Sequence, residues 1–197
     1  MKLIAHRRNT LAQLLETDTR HGVEVDIRSE GPRLIIHHDP FVAGESFDEW
    51  IAAYRHGTLI LNVKEEGLEA RLIALMAQHG IEDYFFLDQS FPFLVKWSRA
   101  GVRRCAVRVS EYESVETALT LAGKVDWVWV DCFTRFPLET GDAARLKQAG
   151  FRLCLVSPEL QGRDAAAEIP ALRALLRERA IEADAVCTKR PDLWEVP

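Results

Sequence analysis

Short apolar runs alternate with amphipathic stretches along the whole chain. Eight of these runs are predicted strands, and they lie at residues 3–5, 23–27, 59–63, 84–87, 102–109, 127–130, 151–156 and 183–187. A glycine after a cationic or small residue precedes most of them, which is typical of a helix that has just ended. Regular strand–helix alternation favours parallel strands, because each crossover helix must return the chain to the same edge of the sheet.

Eight βα units predict a closed (β/α)8 barrel, or TIM barrel, that forms a single compact domain over residues 1–197. A doubly wound open sheet is the alternative architecture. Neither a linker nor a low-complexity segment divides the sequence. In such a barrel, the strand ends that lead into helices form one rim, and this rim carries the chemistry.

Composition narrows the class of protein. Hydrophobic residues make up 48% and charged residues 28% of the chain, which is typical of a soluble globular protein. The net charge of −5 and the absence of a basic block argue against a nucleic-acid partner. Neither a membrane-spanning run nor a signal peptide is recognisable, and the four cysteines are scattered among apolar runs. We therefore expect a cytoplasmic protein with reduced thiols.

Polar residues cluster at the ends of the first strands. His6 and Arg7 follow the first run, Glu24 and Asp26 lie in the second, and Asn62 with Lys64 ends the third. Because strand side chains alternate with a period of two, Glu24 and Asp26 share a face. Hard carboxylate oxygens on one face suit Mg²⁺ or Ca²⁺, while guanidinium and ammonium groups suit a phosphate. The pattern therefore predicts a metal and phosphate site.

This order of motifs resembles the glycerophosphodiester phosphodiesterase family. The matching segments are His6-Arg7, Asn9-Thr10, Glu24-x-Asp26, His38-Asp39, Asn62-x-Lys64, Ser90-Phe91 and Thr188-x-x-Pro191. The segments in the first half of the chain are specific, whereas those in the second half are generic. The resemblance implies a barrel hydrolase that cleaves a small glycerophosphodiester-like substrate in lipid metabolism.

The resemblance also implies a role for each matching residue. His6 and His38 are the expected general acid–base pair, since the pKa of histidine lies near neutrality. Arg7 and Lys64 are expected to bind the substrate phosphate. A divalent cation, Mg²⁺ or Ca²⁺, is expected to bind the carboxylates of Glu24 and Asp26 and the amide oxygen of Asn62.

Three departures from the family pattern bear on these expectations. Arg8 stands where the family has a glycine after His-Arg, so the loop must be built differently. Asn62 replaces the third metal carboxylate, and an amide holds a dication less tightly than a carboxylate does. The segment between Asp39 and Asn62 is short, so the family's substrate-binding insertion is missing. The chain resembles a pared-down relative.

Two other functions remain open from the sequence. The first is a degenerate barrel that binds a phosphorylated ligand without catalysis, which the change at Asn62 and the missing insertion favour. The second is a barrel enzyme that uses Lys64 as a Schiff-base amine, although nearby carboxylates stabilise the unreactive ammonium. Asp131, Glu159 and Arg163 are further candidates for ligand contacts on later strand ends. The sequence does not disclose the oligomeric state.

Overall fold

The computed structural model describes residues 1–195 as an α/β fold. Its strands and helices divide into two compact units. The N-terminal unit comprises Ile4–Lys96, and the C-terminal unit comprises Met1–Leu3 and the chain from Trp97 onward. None of the helices in the described residues has the length and hydropathy that crossing a bilayer requires.

The N-terminal unit is built on a mixed sheet. Its strands are β1 (Lys2–Ala5), β2 (Gly22–Glu30), β3 (Arg33–Ile36), β4 (Glu45–Ser46), β5 (Leu59–Val63) and β6 (Tyr84–Leu87). Strands β1, β2, β5 and β6 pair in parallel, with β2 between β1 and β5. Strand β3 pairs antiparallel with the C-terminal part of β2, from Ile27 to Glu30, and β4 pairs antiparallel with β3. The register of β2 and β5 sets Asp26 opposite Asn62.

Helices connect these strands where the sequence supplies caps. They are α1 (Leu11–Glu16), α2 (Phe47–Ala52), α3 (Glu69–Gln78) and α4 (Phe91–Arg99). Thr10 and Gln13 form a capping box at the start of α1, and the Ser46 hydroxyl caps α2. Phe47 and Trp50 of α2 are fully buried in the apolar core of this unit. The short segment before β5 therefore packs as core structure.

The C-terminal unit repeats the parallel arrangement. Its strands are β7 (Ala106–Val109), β8 (Trp127–Val130), β9 (Arg152–Val156) and β10 (Ala185–Thr188), paired in sequence order. Its helices are α5 (Val115–Leu119), α6 (Thr140–Gln148), α7 (Ala165–Glu178) and α8 (Pro191–Glu195). Cys105, Cys132, Cys154 and Cys187 are buried and form no disulfide. This unit thus has its own apolar core.

The predicted strand–helix alternation is confirmed as an α/β fold, with two differences. Within each unit the pairs between predicted strands are parallel, but two strands that were not predicted, β3 and β4, add antiparallel pairs, because the turn at Gly31 folds the chain back on the extended end of β2. The fifth strand is also shorter than predicted and begins at Ala106. The closed barrel and the single domain stay predictions.

Two glycines precede strands for a reason other than helix termination. A Cβ atom on Gly22 would lie 2.4 Å from the carbonyl oxygen of Thr58, and Gly57 donates its amide to the carbonyl of His21 at 2.8 Å. The close backbone approach at the start of β2 excludes any side chain. These glycines therefore set the register in which β2 and β5 run together.

The loop between β3 and β4 has a strained and exposed tip. Phe41 has a φ of 61° and its side chain is fully exposed, and Val42 beside it is also exposed. At the end of this loop, a Cβ atom on Gly44 would lie 2.3 Å from the carbonyl oxygen of Ile36. Close packing at Gly44 therefore holds the base of the loop, while its tip projects into solvent.

Candidate active site

The centre of the candidate site is a pair of buried carboxylates on β2. Glu24 and Asp26 have no exposed surface, and their side chains leave the same face of the strand, as the spacing predicts. Burial removes the water that would solvate Glu24, and the negative charge of Asp26 adds repulsion, so the pKa of Glu24 rises to about 7. This pair requires compensation by cations and hydrogen-bond donors.

Asn62 provides part of that compensation from β5. Its Nδ2 donates to Oε1 of Glu24 at 2.8 Å, and this bond fixes the orientation of the amide. The opposite amide atom, Oδ1, is buried and accepts no hydrogen bond from the described residues. Oδ1 of Asp26 is likewise buried without a hydrogen bond there. The Asn62 oxygen therefore lacks a hydrogen bond, while the Asp26 oxygen is in an ion pair with Nζ of Lys64 at 3.3 Å.

The loop after β1 brings His6 and Arg7 to the same carboxylates. The backbone amide of Arg7 donates to Oε2 of Glu24 at 2.7 Å, and its Nε lies 3.5 Å from Oδ2 of Asp26. Nε2 of His6 lies 3.7 Å from Oε2 of Glu24. These contacts set a backbone donor and a guanidinium beside the buried carboxylates and place an imidazole at the site.

Arg8 shows how the loop forms without the family's glycine. Arg7 takes the left-handed conformation, with a φ of 51°, and Arg8 donates its amide to the carbonyl of Glu24 at 2.9 Å. The Nε1 of Trp50 donates to the carbonyl of Arg8 at 2.9 Å. Backbone strain at Arg7 is therefore balanced by hydrogen bonds from a strand and from a buried helix.

Asn9 is a residue of the site that sequence reasoning did not assign. Its Nδ2 donates to Oδ2 of Asp26 at 2.8 Å, and its Oδ1 accepts from the backbone amide of Asp26 at 3.0 Å. Both ends of one amide thus hold one aspartate in position. The signal was available in the motif Asn9-Thr10, but the role of its first residue could not be deduced without coordinates.

Lys64 lies between two carboxylates. Its Nζ lies 3.3 Å from Oδ1 of Asp26 and donates to Oδ2 of Asp88 at 3.0 Å. The Lys64 side chain is largely buried, whereas Asp88 is exposed and has a φ of 61°. The ammonium therefore joins the buried pair to a carboxylate at the end of β6.

His38 is the one predicted site residue that contacts neither carboxylate of the buried pair in the described structure. Its Nδ1 bonds to Oδ1 of Asp39 at 2.8 Å, and its carbonyl accepts from the guanidinium of Arg28. The hydrogen bond from His38 lowers the pKa of Asp39, and the charge of Arg7 lowers it further. The electrostatic influence of Arg7 thus extends to the loop that carries His38.

A cavity of about 300 Å³ adjoins Lys64 and Asp88. Its lining includes Gln89, Phe93 and Glu69. Glu69 is fully buried and accepts from Nε2 of Gln89 at 2.9 Å. Its lining combines the apolar side chain of Phe93 with the polar groups of Lys64, Asp88 and Gln89, so it suits a small molecule with hydroxyl groups.

The further candidates for ligand contacts in the C-terminal unit form hydrogen bonds within the protein. Asp131 accepts from Arg108, from Gln161 and from the backbone of Cys132. The other two have protein partners as well: Glu159 accepts from Thr188 and Lys189, and Arg163 donates to the carbonyls of Cys132 and Thr134. These three side chains are therefore held by protein partners, although the buried Nε of Arg163 makes no hydrogen bond to the described residues.

The donor set of the site fits a hard divalent cation in part. Two carboxylates and a buried amide oxygen are the ligands that Mg²⁺ and Ca²⁺ prefer, and the buried oxygens of Asp26 and Asn62 suit a cation. In residues 1–195, however, no group of three or more His, Cys, Asp or Glu side chains could hold a metal ion. Water and substrate oxygens would have to complete the coordination.

Neither a family model nor a curated protein sequence matches the chain. Solved structures do match. The glycerophosphodiester phosphodiesterase from Agrobacterium tumefaciens str. C58 aligns with a TM-score of 0.68 and 16% identity over 98% of each chain. The glycerophosphoryl diester phosphodiesterase from Parabacteroides distasonis ATCC 8503 gives a TM-score of 0.66 and 12% identity over 98% of this chain and 84% of that one.

A structure with a different name also shares the fold. A mutant tryptophan synthase α-subunit from Pyrococcus furiosus aligns with a TM-score of 0.57 and 13% identity over 95% of this chain and 86% of that one. At such identities the likeness establishes the fold alone. The predicted resemblance to the phosphodiesterases is confirmed at that level, and activity must be argued from the residues.

Proposed function

We propose that this protein is a metal-dependent phosphodiesterase that hydrolyses a small glycerophosphodiester-like substrate. The observation that carries the proposal is the convergence of His6, Arg7 and Lys64 on the buried pair Glu24 and Asp26. A structural ion-pair network requires neither a histidine nor a buried amide oxygen, that of Asn62, without a hydrogen bond from the described residues. A site that binds a phosphate and moves protons requires both a cationic surface and a basic nitrogen.

Glu24, Asp26 and Asn62 would hold the divalent cation, Mg²⁺ or Ca²⁺. When bound, such a cation acts as a Lewis acid that stabilises negative charge on phosphoryl oxygens. Asn9 keeps the Asp26 carboxylate in place, and the amide of Arg7 does the same for Glu24. The protein would thus hold the metal-ligating side chains in place before a cation binds, which lowers the entropic cost of cation binding.

Arg7 and Lys64 would bind the phosphate. The guanidinium of Arg7 is half-exposed, so its free edge can reach a phosphate oxygen while Nε stays near Asp26. Lys64 adjoins the polar cavity, and a phosphate on its ammonium would point one ester group into that space. The alcohol of the leaving group, or the glycerol portion, would occupy the cavity.

His6 and His38 would transfer the protons. One imidazole, when neutral, takes a proton from the attacking water or from a neighbouring substrate hydroxyl. The other, when protonated, gives a proton to the leaving alcohol oxygen. Asp39 holds Nδ1 of His38, so Nε2 is its proton-transfer atom, and Glu24 lies beside Nε2 of His6. Each carboxylate stabilises the positive charge that its histidine acquires.

The test is hydrolysis of a panel of phosphodiesters, including glycerophosphodiesters, with Mg²⁺, Ca²⁺ or EDTA. We expect metal-dependent turnover that falls about 100-fold or more in His6→Ala and in His38→Ala. His79→Ala, which removes a histidine at the end of α3, is the matched control and should keep full activity. Unchanged turnover in both site variants would contradict the mechanism.

A second function is a phosphate-binding protein without catalysis. The specific observation in its favour is His38, whose side chain is 40% exposed and contacts neither Glu24 nor Asp26 in the described structure. A neutral residue at position 62 agrees with this function. Binding of glycerol phosphate by a folded protein that hydrolyses no diester in the panel would establish it.

The fold and the cellular location that we propose for this enzyme are those predicted from the sequence. We propose a closed (β/α)8 barrel in one domain, acting in the cytoplasm on a small phosphodiester, with no nucleic-acid partner. The alternative of Schiff-base chemistry at Lys64 loses support, because its Nζ lies 3.0 and 3.3 Å from carboxylates rather than in the apolar pocket that an amine nucleophile uses.

A further inference from the structure

Lys64 occupies a position that a bound cation would need. Its Nζ lies 3.3 Å from Oδ1 of Asp26, and that oxygen is buried and accepts no hydrogen bond from the described residues. A divalent cation binds carboxylate oxygens at about 2.0–2.6 Å. A cation on this oxygen and the ammonium beside it would repel each other strongly, since solvent screens charges weakly at buried groups such as these.

Asp88 offers the ammonium a second partner. Its Oδ2 already accepts from Nζ of Lys64 at 3.0 Å, and its carboxylate lies at the edge of the cavity, where 26% of the side chain is exposed. Lys64 can therefore leave Asp26 without losing its ion pair. The movement needs only rotation of a flexible side chain with a short displacement toward the cavity.

Because Asn62 is neutral, it adds no negative charge that would favour a divalent cation over the ammonium of Lys64. Among the described residues, the carboxylates at the centre of the site are those of Glu24 and Asp26, and Arg7 and Lys64 already lie within 3.5 Å of Asp26. A divalent cation must therefore displace the ammonium of Lys64. Because Lys64 directly follows β5 in the chain, its ammonium is always present at high local concentration.

We propose that Lys64 sets the affinity of this site for divalent cations by competing for Oδ1 of Asp26, and that Asp88 receives the ammonium when the cation binds. The inference rests on the proposed function, because it requires the cation to bind at Glu24, Asp26 and Asn62. It assigns Lys64 a positioning role in cation exchange in addition to phosphate binding. A low cation affinity in the resting protein is the direct consequence.

The test is calorimetric titration of the full chain with Mg²⁺ and with Ca²⁺, in the absence of substrate. Lys64→Gln removes the competing charge and should tighten cation binding about tenfold or more. Lys64→Arg retains the charge and should show no such gain. Circular dichroism of each variant establishes that the fold is retained, so that a change in affinity reports on the site.

Asp88→Asn tests the second part of the proposal through a double-mutant cycle. In the natural chain, this substitution should weaken cation binding, because the displaced ammonium loses its partner. In the Lys64→Gln background it should have a much smaller effect. Additive effects of the two substitutions would overturn the role of Asp88.

The outcomes also separate the two proposals. Equal affinities of the natural chain and Lys64→Gln would overturn the competition while leaving the metal site and the phosphodiesterase activity standing. Failure of every variant to bind either cation would overturn both the competition and the metal-dependent mechanism. Tighter binding by Lys64→Gln but not by Lys64→Arg would support the competition.

Discussion

At the scale of single residues, the neutral amide of Asn62 separates this site from one with three carboxylates. It spares the fold a third buried negative charge beside Glu24 and Asp26, and it donates a hydrogen bond to Glu24. The cost is one ionic ligand for a divalent cation. Stability without metal and affinity for metal are therefore opposed at this position.

Asn62→Glu should reverse that balance. We expect about tenfold or greater tightening of Ca²⁺ binding, because ligand charge governs affinity at oxygen sites. Without metal, the variant should unfold at a lower temperature than the natural chain, since three carboxylates repel one another. Calorimetric titration and thermal unfolding with and without Ca²⁺ measure both effects. Asn62→Gln, which keeps an amide, is the control, and unchanged affinity in Asn62→Glu would contradict the proposed ligand set.

At the scale of structural elements, loops contribute what the strands alone could not predict. The period of two in β2 was enough to predict that Glu24 and Asp26 share a face. The hold of Asn9 on Asp26, the left-handed Arg7 and the pairing of His38 with Asp39 depend on loop conformations that no periodicity encodes. Fold class and the central carboxylates were thus predictable, and the surroundings of each histidine were not.

The antiparallel hairpin of β3 and β4 was missed for a related reason. Strand β2 continues beyond its predicted end to Glu30, and a turn at Gly31 returns the chain along it. The run from Arg33 to Ile36 is short, and its direction depends on the turn rather than on its own residues. Where a turn rather than a helix joins two strands, the alternation of apolar and amphipathic segments therefore does not predict the direction of the second strand.

A loop of the C-terminal unit supplies a prediction of pH dependence. Partial burial tends to raise the pKa of Glu111, but backbone amides of Thr134 and Arg135 bond to its carboxylate and outweigh burial, so the pKa falls to about 2. A pKa below that of the unfolded chain means that the ionised carboxylate stabilises the fold above about pH 4.5. This contribution is lost as the pH falls from 4.5 to 2.

Glu111→Gln should therefore destabilise the protein by roughly 1–2 kcal/mol at pH 7, because charged hydrogen bonds become neutral ones. The difference from the natural chain should shrink steadily below pH 4.5. Urea unfolding at pH 7 and at pH 3 measures the two values. Glu178→Gln, an exposed carboxylate on α7, should change neither, and a difference that does not depend on pH would refute the role of Glu111.

At the scale of the whole molecule, β1 takes part in both compact units. The amide of Lys2 donates to the carbonyl of Asp184 in the C-terminal unit, while Ile4 and Ala5 pair with Gly22 and Val23 in the N-terminal unit. The boundary between the two units therefore falls inside one strand rather than in a linker. The units are therefore expected to unfold together.

We predict a single thermal transition whose calorimetric and van't Hoff enthalpies agree. Leu61→Ala, a truncation in the core of the N-terminal unit, should destabilise the protein by about 2–5 kcal/mol and shift this one transition as a whole. Scanning calorimetry and circular dichroism give the measurement. Separation of the natural or variant profile into two transitions would contradict the prediction of one domain.

The exposed tip of the loop at Phe41 has a consequence for where the chain can change in length. Its backbone is strained, its side chain lies in water, and the close packing at Gly44 closes the loop behind it. Residues can be added at such a tip without opening the core or moving β2 and β5. The tip is therefore a position where a longer segment can be inserted or removed while the strands that carry Glu24, Asp26 and Asn62 stay unchanged.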